Sequence, residues 1–258
     1  MSTSSGVGLV VTTLLASVVE FVEAFTIVLA MAITRGWRSA LAGTALALVS
    51  LAAITIVAGY ALIEWFPETL LQLVVGTLLL IFGLQWLRKS ILRSAGVKEL
   101  HDEEQAFLEE TEAARAADDR RRLGLDWFGF VVSFKGVFLE GLEIVFIVVT
   151  FGLNADSMGL AVLGAVIGGV IVIVAGVLAH RPLARVPENT IKFAVGLLLS
   201  TFGTFWAVEG LGVFEGGQAT IEWPGEDLAL PAILAVWCAM SWLTVTLLRA
   251  PRPAGSEA

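Results

Sequence analysis

The chain has 258 residues, 57% of them hydrophobic and 16% charged, with a mean hydropathy of +0.86. Soluble domains are roughly 45–50% apolar and about 25% charged, so this composition excludes a water-soluble globule, a disordered chain and a nucleic-acid binder. One cysteine, Cys238, excludes a disulfide framework or a cysteine metal site. The 24 acids and 16 bases leave a net charge of −8, unusual for a chain that must sit in an anionic bilayer. Where those charges lie is more informative than their sum.

Crossing ~30 Å of hydrocarbon takes ~20 apolar residues. Seven stretches are long enough: 8–33, 39–63, 68–88, 127–152, 158–180, 188–209 and 228–248. The first is not read as a signal peptide, because no basic residue precedes it and its apolar run is too long. None of the stretches alternates in the manner of a lipid-exposed barrel strand. The expected fold is an all-α polytopic membrane protein with seven transmembrane helices.

All 16 bases fall at alternate connections. Arg35 and Arg38 join spans 1 and 2, and eight bases from Arg88 to Arg122 lie between spans 3 and 4. Arg181, Arg185 and Lys192 mark the 5–6 connection, and Arg249 and Arg252 follow span 7. Lys135 lies near the start of span 4 and snorkels to the same surface. By the positive-inside rule that surface is cytoplasmic, with the N-terminus outside and the C-terminus inside.

Shifting the sequence by 120 positions lays one half on the other without a gap. Glu20 meets Glu140, Glu23 meets Glu143, and Pro67-Glu68 meets Pro187-Glu188. Phe82-Gly83 and Trp86 meet Phe202-Gly203 and Trp206. Leu and Val coincide by chance, but Glu, Pro, Phe-Gly and Trp in one register do not. Three spans per copy is an odd number, so the copies must be inverted, as in many transporters. The expected organisation is a first three-helix repeat at 8–90, a charged cytoplasmic linker at 91–126 and a second repeat at 127–210. An acidic extracytoplasmic loop follows at 211–227, then the seventh helix and a cytoplasmic tail at 228–258. Residues 98–122 of the linker hold nine acids and five bases with no strong apolar face. They read as a solvated helix, with metal handling by His101-Asp102-Glu103-Glu104 as the sharper alternative.

Glu20, Glu23, Glu140 and Glu143 fall near the centres of spans 1 and 4. A spacing of three puts each pair on one helix face, a turn apart. Inversion of the repeat then brings four carboxylates around one point. An ionised side chain at the midplane costs roughly 2.5–3.5 kcal/mol on insertion scales, and spans 1 and 4 place no arginine beside the glutamates. Either protons or a bound cation must therefore neutralise the group. Carboxylate oxygen suits Ca²⁺, Mn²⁺ and iron, and binding them displaces protons. Ser17 and Thr26, three residues to either side of the pair, are candidate pathway-lining hydroxyls. Gly164 and Gly168 read as a close helix contact. Thr44, Ser50, Thr77, Gln85 and Thr201 either line a pathway or bond their own backbones. The acids of the 6–7 loop either concentrate cations or are ordinary solvated charges. His180 lies at the cytoplasmic end of span 5 and His101 in the linker, so no histidine lies within the membrane. With no nucleophile–base pair either, no catalytic residue and no enzyme activity is expected.

The segment Phe138-Leu139-Glu140-Gly141-Leu142-Glu143 resembles the Arg-Glu-Gly-Leu-Glu motif of the iron permease family, with Val19 and Leu139 at the arginine positions. Those proteins have seven spans, an outside N-terminus and the motif in spans 1 and 4. The resemblance implies Glu20, Glu23, Glu140 and Glu143 as iron ligands. The layout is also similar to the manganese/calcium–proton exchangers of the lysine-exporter superfamily, which carry Glu-x-Gly-Asp-(Lys/Arg)-(Ser/Thr) twice around a charged linker. The acids of that motif fall on the same four glutamates. Both resemblances imply a multi-pass plasma-membrane transporter of divalent or trivalent metal cations, iron or manganese class. Its partners are then the metal cation and the lipid bilayer, and no cofactor is held permanently. The competing readings are a non-transporting scaffold or receptor, and a proton or organic-cation pathway.

Overall fold

A computed structural model describes residues 3–65, 67–100, 102–118, 120–179, 188–215, 220–225 and 228–249. It contains α1 (Thr3–Arg35), α2 (Trp37–Trp65), α3 (Glu68–Ser94), α4 (Glu103–Ala116), α5 (Trp127–Asn154), α6 (Met158–Ala179), α7 (Glu188–Gly210) and α8 (Ala229–Leu248). A short hairpin, β1 (Arg121–Arg122) and β2 (Leu125–Asp126), precedes α5, and a 3₁₀ turn at Leu211–Glu215 follows α7. Among the described residues seven helices, all but α4, are long and apolar enough to cross a membrane. The all-α seven-span fold expected from sequence is the fold observed. His101, Arg181, Arg185, Pro187, Glu226, Asp227 and Arg252 lie outside the described residues.

Local chemistry sets the breaks between helices. Gly36 adopts φ +101° between α1 and α2, a conformation that costs a residue with a Cβ but not glycine. Asp102 caps α4 by accepting from the Glu104 amide at 2.8 Å. Asp126 caps α5 by accepting from the Gly129 amide at 2.8 Å, while its own amide donates to Ser39 Oγ at 2.9 Å.

The chain folds as two compact units, residues 1–65 with 101–187, and residues 66–100 with 188–258. In the first unit α1 lies along α6 and α2 along α5. Gly164 meets the backbone of Val10 and the side chain of Thr13, and Gly168 meets Leu14 and Val18, the close contact expected of that pair. Gly43 of α2 meets the backbone of Phe130 and Phe134 on α5. Phe130 and Phe134 are the counterparts, 120 positions on, of Val10 and Leu14. α1 and α5 run antiparallel, with Gly129 against Arg35 and Gly136 against Ile27.

Residues 103–116 form the helix read from the sequence, α4, mostly exposed but docked along one stripe. Phe107, Thr111 and Ala114, spaced four and three apart, form a narrow stripe facing a core of Ala30, Met31, Ala32 and Ala40. Arg35 fixes this helix in place. Its Nε donates to the Ala114 carbonyl at 2.7 Å, and Nη2 also reaches the Ala117 carbonyl. Nη1 lies 3.4 Å from Asp126 Oδ2, and the guanidinium lies over the Phe128 ring. Three inward positions among so many charges are too few to show in composition.

In the second unit α3 and α7 pack antiparallel. Gly76 meets Trp206 and Ala207, while Gly196 meets Trp86 and Leu87. At one end Glu188 pairs with Arg93 at 2.7 Å and Lys192 at 3.7 Å, and Lys192 lies over the Trp86 ring. At the other end Gln72 donates to Glu209, and Trp223 stacks on Phe205. The part of the acidic loop that holds Trp223 therefore folds back on α7. α8 adds to α7 through Trp237, whose indole donates to Thr204 Oγ1 at 3.1 Å.

Candidate metal centre

The first unit carries acids inside an apolar helix pair. Carboxylate oxygens of Glu20 on α1 and of Glu140 and Glu143 on α5 all lie within 4.8 Å of one another. Glu20 is fully buried, and the two α5 glutamates are half-buried. The antiparallel crossing explains the meeting: Arg35 lies against Gly129 and Ile27 against Gly136, so the next turns bring Glu20 to 140–143. Leu139 and Lys135, one and five positions before Glu140, are exposed. An ion bonded to oxygen at about 2.3–2.6 Å spans at most about 5 Å between opposite ligands. The triad is therefore of the right size for one hard cation.

Glu23, the fourth sequence candidate, is half-buried on α1 and does not belong to that group of three. Of the two glutamate pairs, one contributes both acids and the other only one. Ser17 is fully buried one turn from Glu20, and Thr26 is buried one turn beyond Glu23. Sequence reasoning missed three further buried hydroxyls on these two helices, those of Thr13, Ser133 and Thr150. Thr13 and Ser133 stand 120 positions apart, so the repeat register itself was the signal that could have found them. Thr13 and Thr150 donate to carbonyls four residues back, those of Leu9 and Phe146, whereas among the described residues Ser17 and Ser133 form no hydrogen bond through Oγ. Thr201, on α7, bonds the Leu197 carbonyl in the same back-bonded way.

Fold and site together define a polytopic helical membrane protein with a carboxylate cluster between two of its spans. Residues 8–94, which hold Glu20 and Glu23, match the sequence model of a family described as Divalent cation/proton antiporter GDT1. Of the two resemblances read from the motifs, this similarity supports the cation–proton exchangers. No curated protein and no solved structure matches the chain.

Proposed function

We propose that the chain is a multi-pass antiporter of the plasma membrane that exchanges a divalent metal cation for protons at the Glu20–Glu140–Glu143 centre. The observation that carries this reading is the approach of three carboxylates within 4.8 Å inside membrane-length helices. Three like charges in an apolar surrounding repel, and a divalent ion or protons relieve that repulsion. Because a carboxylate must lose its proton to bind the metal, loading with one ion releases the other, and this is the chemistry of exchange. Oxygen donors alone favour manganese, calcium or iron(II) over thiophilic ions. The similarity of residues 8–94 to an antiporter family supports the same reading.

The two three-helix halves are read as an inverted repeat. Supporting this, α1 and α5 run antiparallel, as do α3 and α7, and glycine contacts recur at positions 120 apart. Rocking about the approximate two-fold axis would open the centre to each side in turn. In this reading the N-terminus is outside and the linker cytoplasmic, which the distribution of arginine and lysine supports. A scaffold or receptor has no need of buried paired acids, and carboxylates without metal would serve a proton pathway alone.

Flux into proteoliposomes tests the reading. Mn²⁺, Ca²⁺ and Fe²⁺ are offered with and without a pH gradient, to wild type and to Glu140→Gln. The expected result is uptake of at least one ion, driven by the gradient and lost in the variant. Equal behaviour of the two proteins for every ion overturns it.

A further inference from the structure

Three carboxylates do not fill the coordination sphere of a hard divalent cation, which takes six or more oxygens. We infer that the Ser17 hydroxyl is a further, neutral ligand of the ion bound by Glu20, Glu140 and Glu143, and helps set the selectivity of that site. The inference rests on the proposed metal site and adds to it a donor that the carboxylate pattern does not contain.

Two observations carry it. The first is position. Ser17 is fully buried on α1, three residues before Glu20, so the two share a helix face with Cβ atoms about 5–6 Å apart. Side chains on a helix lean toward its N-terminus, so the Glu20 carboxylate lies over the turn that Ser17 begins. The second observation is the hydroxyl itself. A buried hydroxyl without a partner is costly, and a serine inside a helix has a ready partner in the carbonyl four residues back. Thr13, Thr34 and Thr150, in the same unit, all take that partner. Ser17 does not, and its Oγ has no hydrogen-bond partner among the described residues. Thr44, Thr111 and Ser133 share that state, but Ser17 is the one a single turn from an acid of the triad. A hydroxyl held in this state beside a carboxylate triad is available to an ion. Glu23, by contrast, stands outside the group of three.

A neutral oxygen from Ser17 adds a ligand without adding charge. Three carboxylates and a divalent ion then leave one net negative charge, less to neutralise than four carboxylates would leave. An all-oxygen sphere also disfavours thiophilic ions, which is why exchanging this oxygen for sulfur is informative.

The experiment replaces Ser17 by cysteine in a Cys238→Ala background, which removes the one native thiol. Purified protein in nanodiscs is titrated with Cd²⁺, Mn²⁺ and Ca²⁺. Ser17→Cys is expected to shift the Cd²⁺/Mn²⁺ affinity ratio toward cadmium by at least about tenfold, and to give a thiolate-to-cadmium charge-transfer band. Ser17→Ala is expected to weaken Mn²⁺ binding by roughly tenfold while thermal unfolding without metal is unchanged or improved. No absorption band, together with an unchanged affinity ratio, overturns the assignment of Ser17. Glu20→Gln is run in parallel so that the two claims separate. If it abolishes binding while both Ser17 variants behave as wild type, only the Ser17 inference falls. If Glu20→Gln also binds normally, the metal centre itself falls.

Discussion

Glu20 on α1 and Glu140 on α5, 120 positions apart in the sequence, bring carboxylate oxygens within 4.8 Å of each other. Equivalent residues of antiparallel equivalent helices meet only near an axis that relates the two. Such a position is special for a transporter. In the antiporter proposed above, both repeats would contribute to such a position in either orientation.

The first prediction concerns that pair. Glu20→Gln and Glu140→Gln should each lower metal affinity by more than the roughly 10–100-fold that outer-sphere changes cost. Without metal the variants should be at least as thermostable as wild type, because one of three crowded like charges is gone. With saturating metal the wild type alone should gain stability, as binding to the folded state requires. Differential scanning fluorimetry with and without Mn²⁺ reads both effects. A variant that melts lower in the absence of metal would show a structural carboxylate instead.

The second prediction comes from the asymmetry between Glu143, inside the group of three, and Glu23, outside it. In an inverted repeat the two opposite-facing states exchange the roles of equivalent residues. Glu143 should then serve the site in one state and Glu23 in the other. Glu143→Gln and Glu23→Gln should weaken ion binding from opposite sides of the membrane. Inside-out and right-side-out vesicles, assayed for the external Mn²⁺ concentration that half-saturates flux, should show the two variants with mirrored defects. Identical defects on one side, or a silent Glu23→Gln, would refute the exchange.

The third prediction is the direction of the pH effect. Protons and metal compete for the same oxygens, so apparent Mn²⁺ affinity should fall as pH falls, and binding should release protons. Isothermal titration in buffers of different ionisation enthalpy measures the number released. The expected value is at least one per ion, and it should drop in Glu143→Gln. A value of zero at every pH would leave metal binding uncoupled from protons.

Much of this was legible in the sequence because a bilayer imposes strong rules. Span bounds follow from the length of hydrocarbon to be crossed, and α5 begins and α6 begins where the apolar runs do, at 127 and 158. The three acids of the centre were legible because charge in hydrocarbon is costly and so carries meaning. Two things were not. The docking of α4 rests on Phe107, Thr111 and Ala114 and on one arginine from α1, contacts that periodicity over fourteen residues does not reveal. The separation of Glu23 from Glu143 was also hidden. The repeat makes them equivalent in sequence, and only a structure in one conformation distinguishes them.

The fourth prediction tests the α4 contact. Arg35 satisfies the terminal carbonyls of α4, at Ala114 and Ala117, and contacts Asp126 at the N-cap of α5. Arg35→Gln keeps a hydrogen-bonding side chain but loses the charge and the fork geometry. Amide exchange across α4 should accelerate markedly while α1 around Glu20 stays protected. Unchanged protection of α4 would mean that the apolar stripe alone holds it.

The last prediction concerns the α3–α7 pair, where glycine permits backbones to touch. A Cβ at Gly83 would collide with the backbone of Leu199 and Ser200, and one at Gly203 with the backbone of Leu80 and Gly76. Backbone cannot yield as a flexible side chain does, so the helices themselves must separate. Gly83→Ala and Gly203→Ala should each destabilise by about 1–3 kcal/mol, the range for overpacking a tight interior. Their effects should be similar, since the two residues occupy equivalent positions in the repeat. Gly8→Ala on α1 is the control, because a Cβ there meets nothing within 4 Å. Alanine in an open helical position should be neutral or stabilising by up to about 1 kcal/mol. Thermal unfolding in one detergent orders the three variants. If Gly83→Ala and Gly203→Ala melt with Gly8→Ala at or above wild type, the α3–α7 backbones do not approach as closely as described.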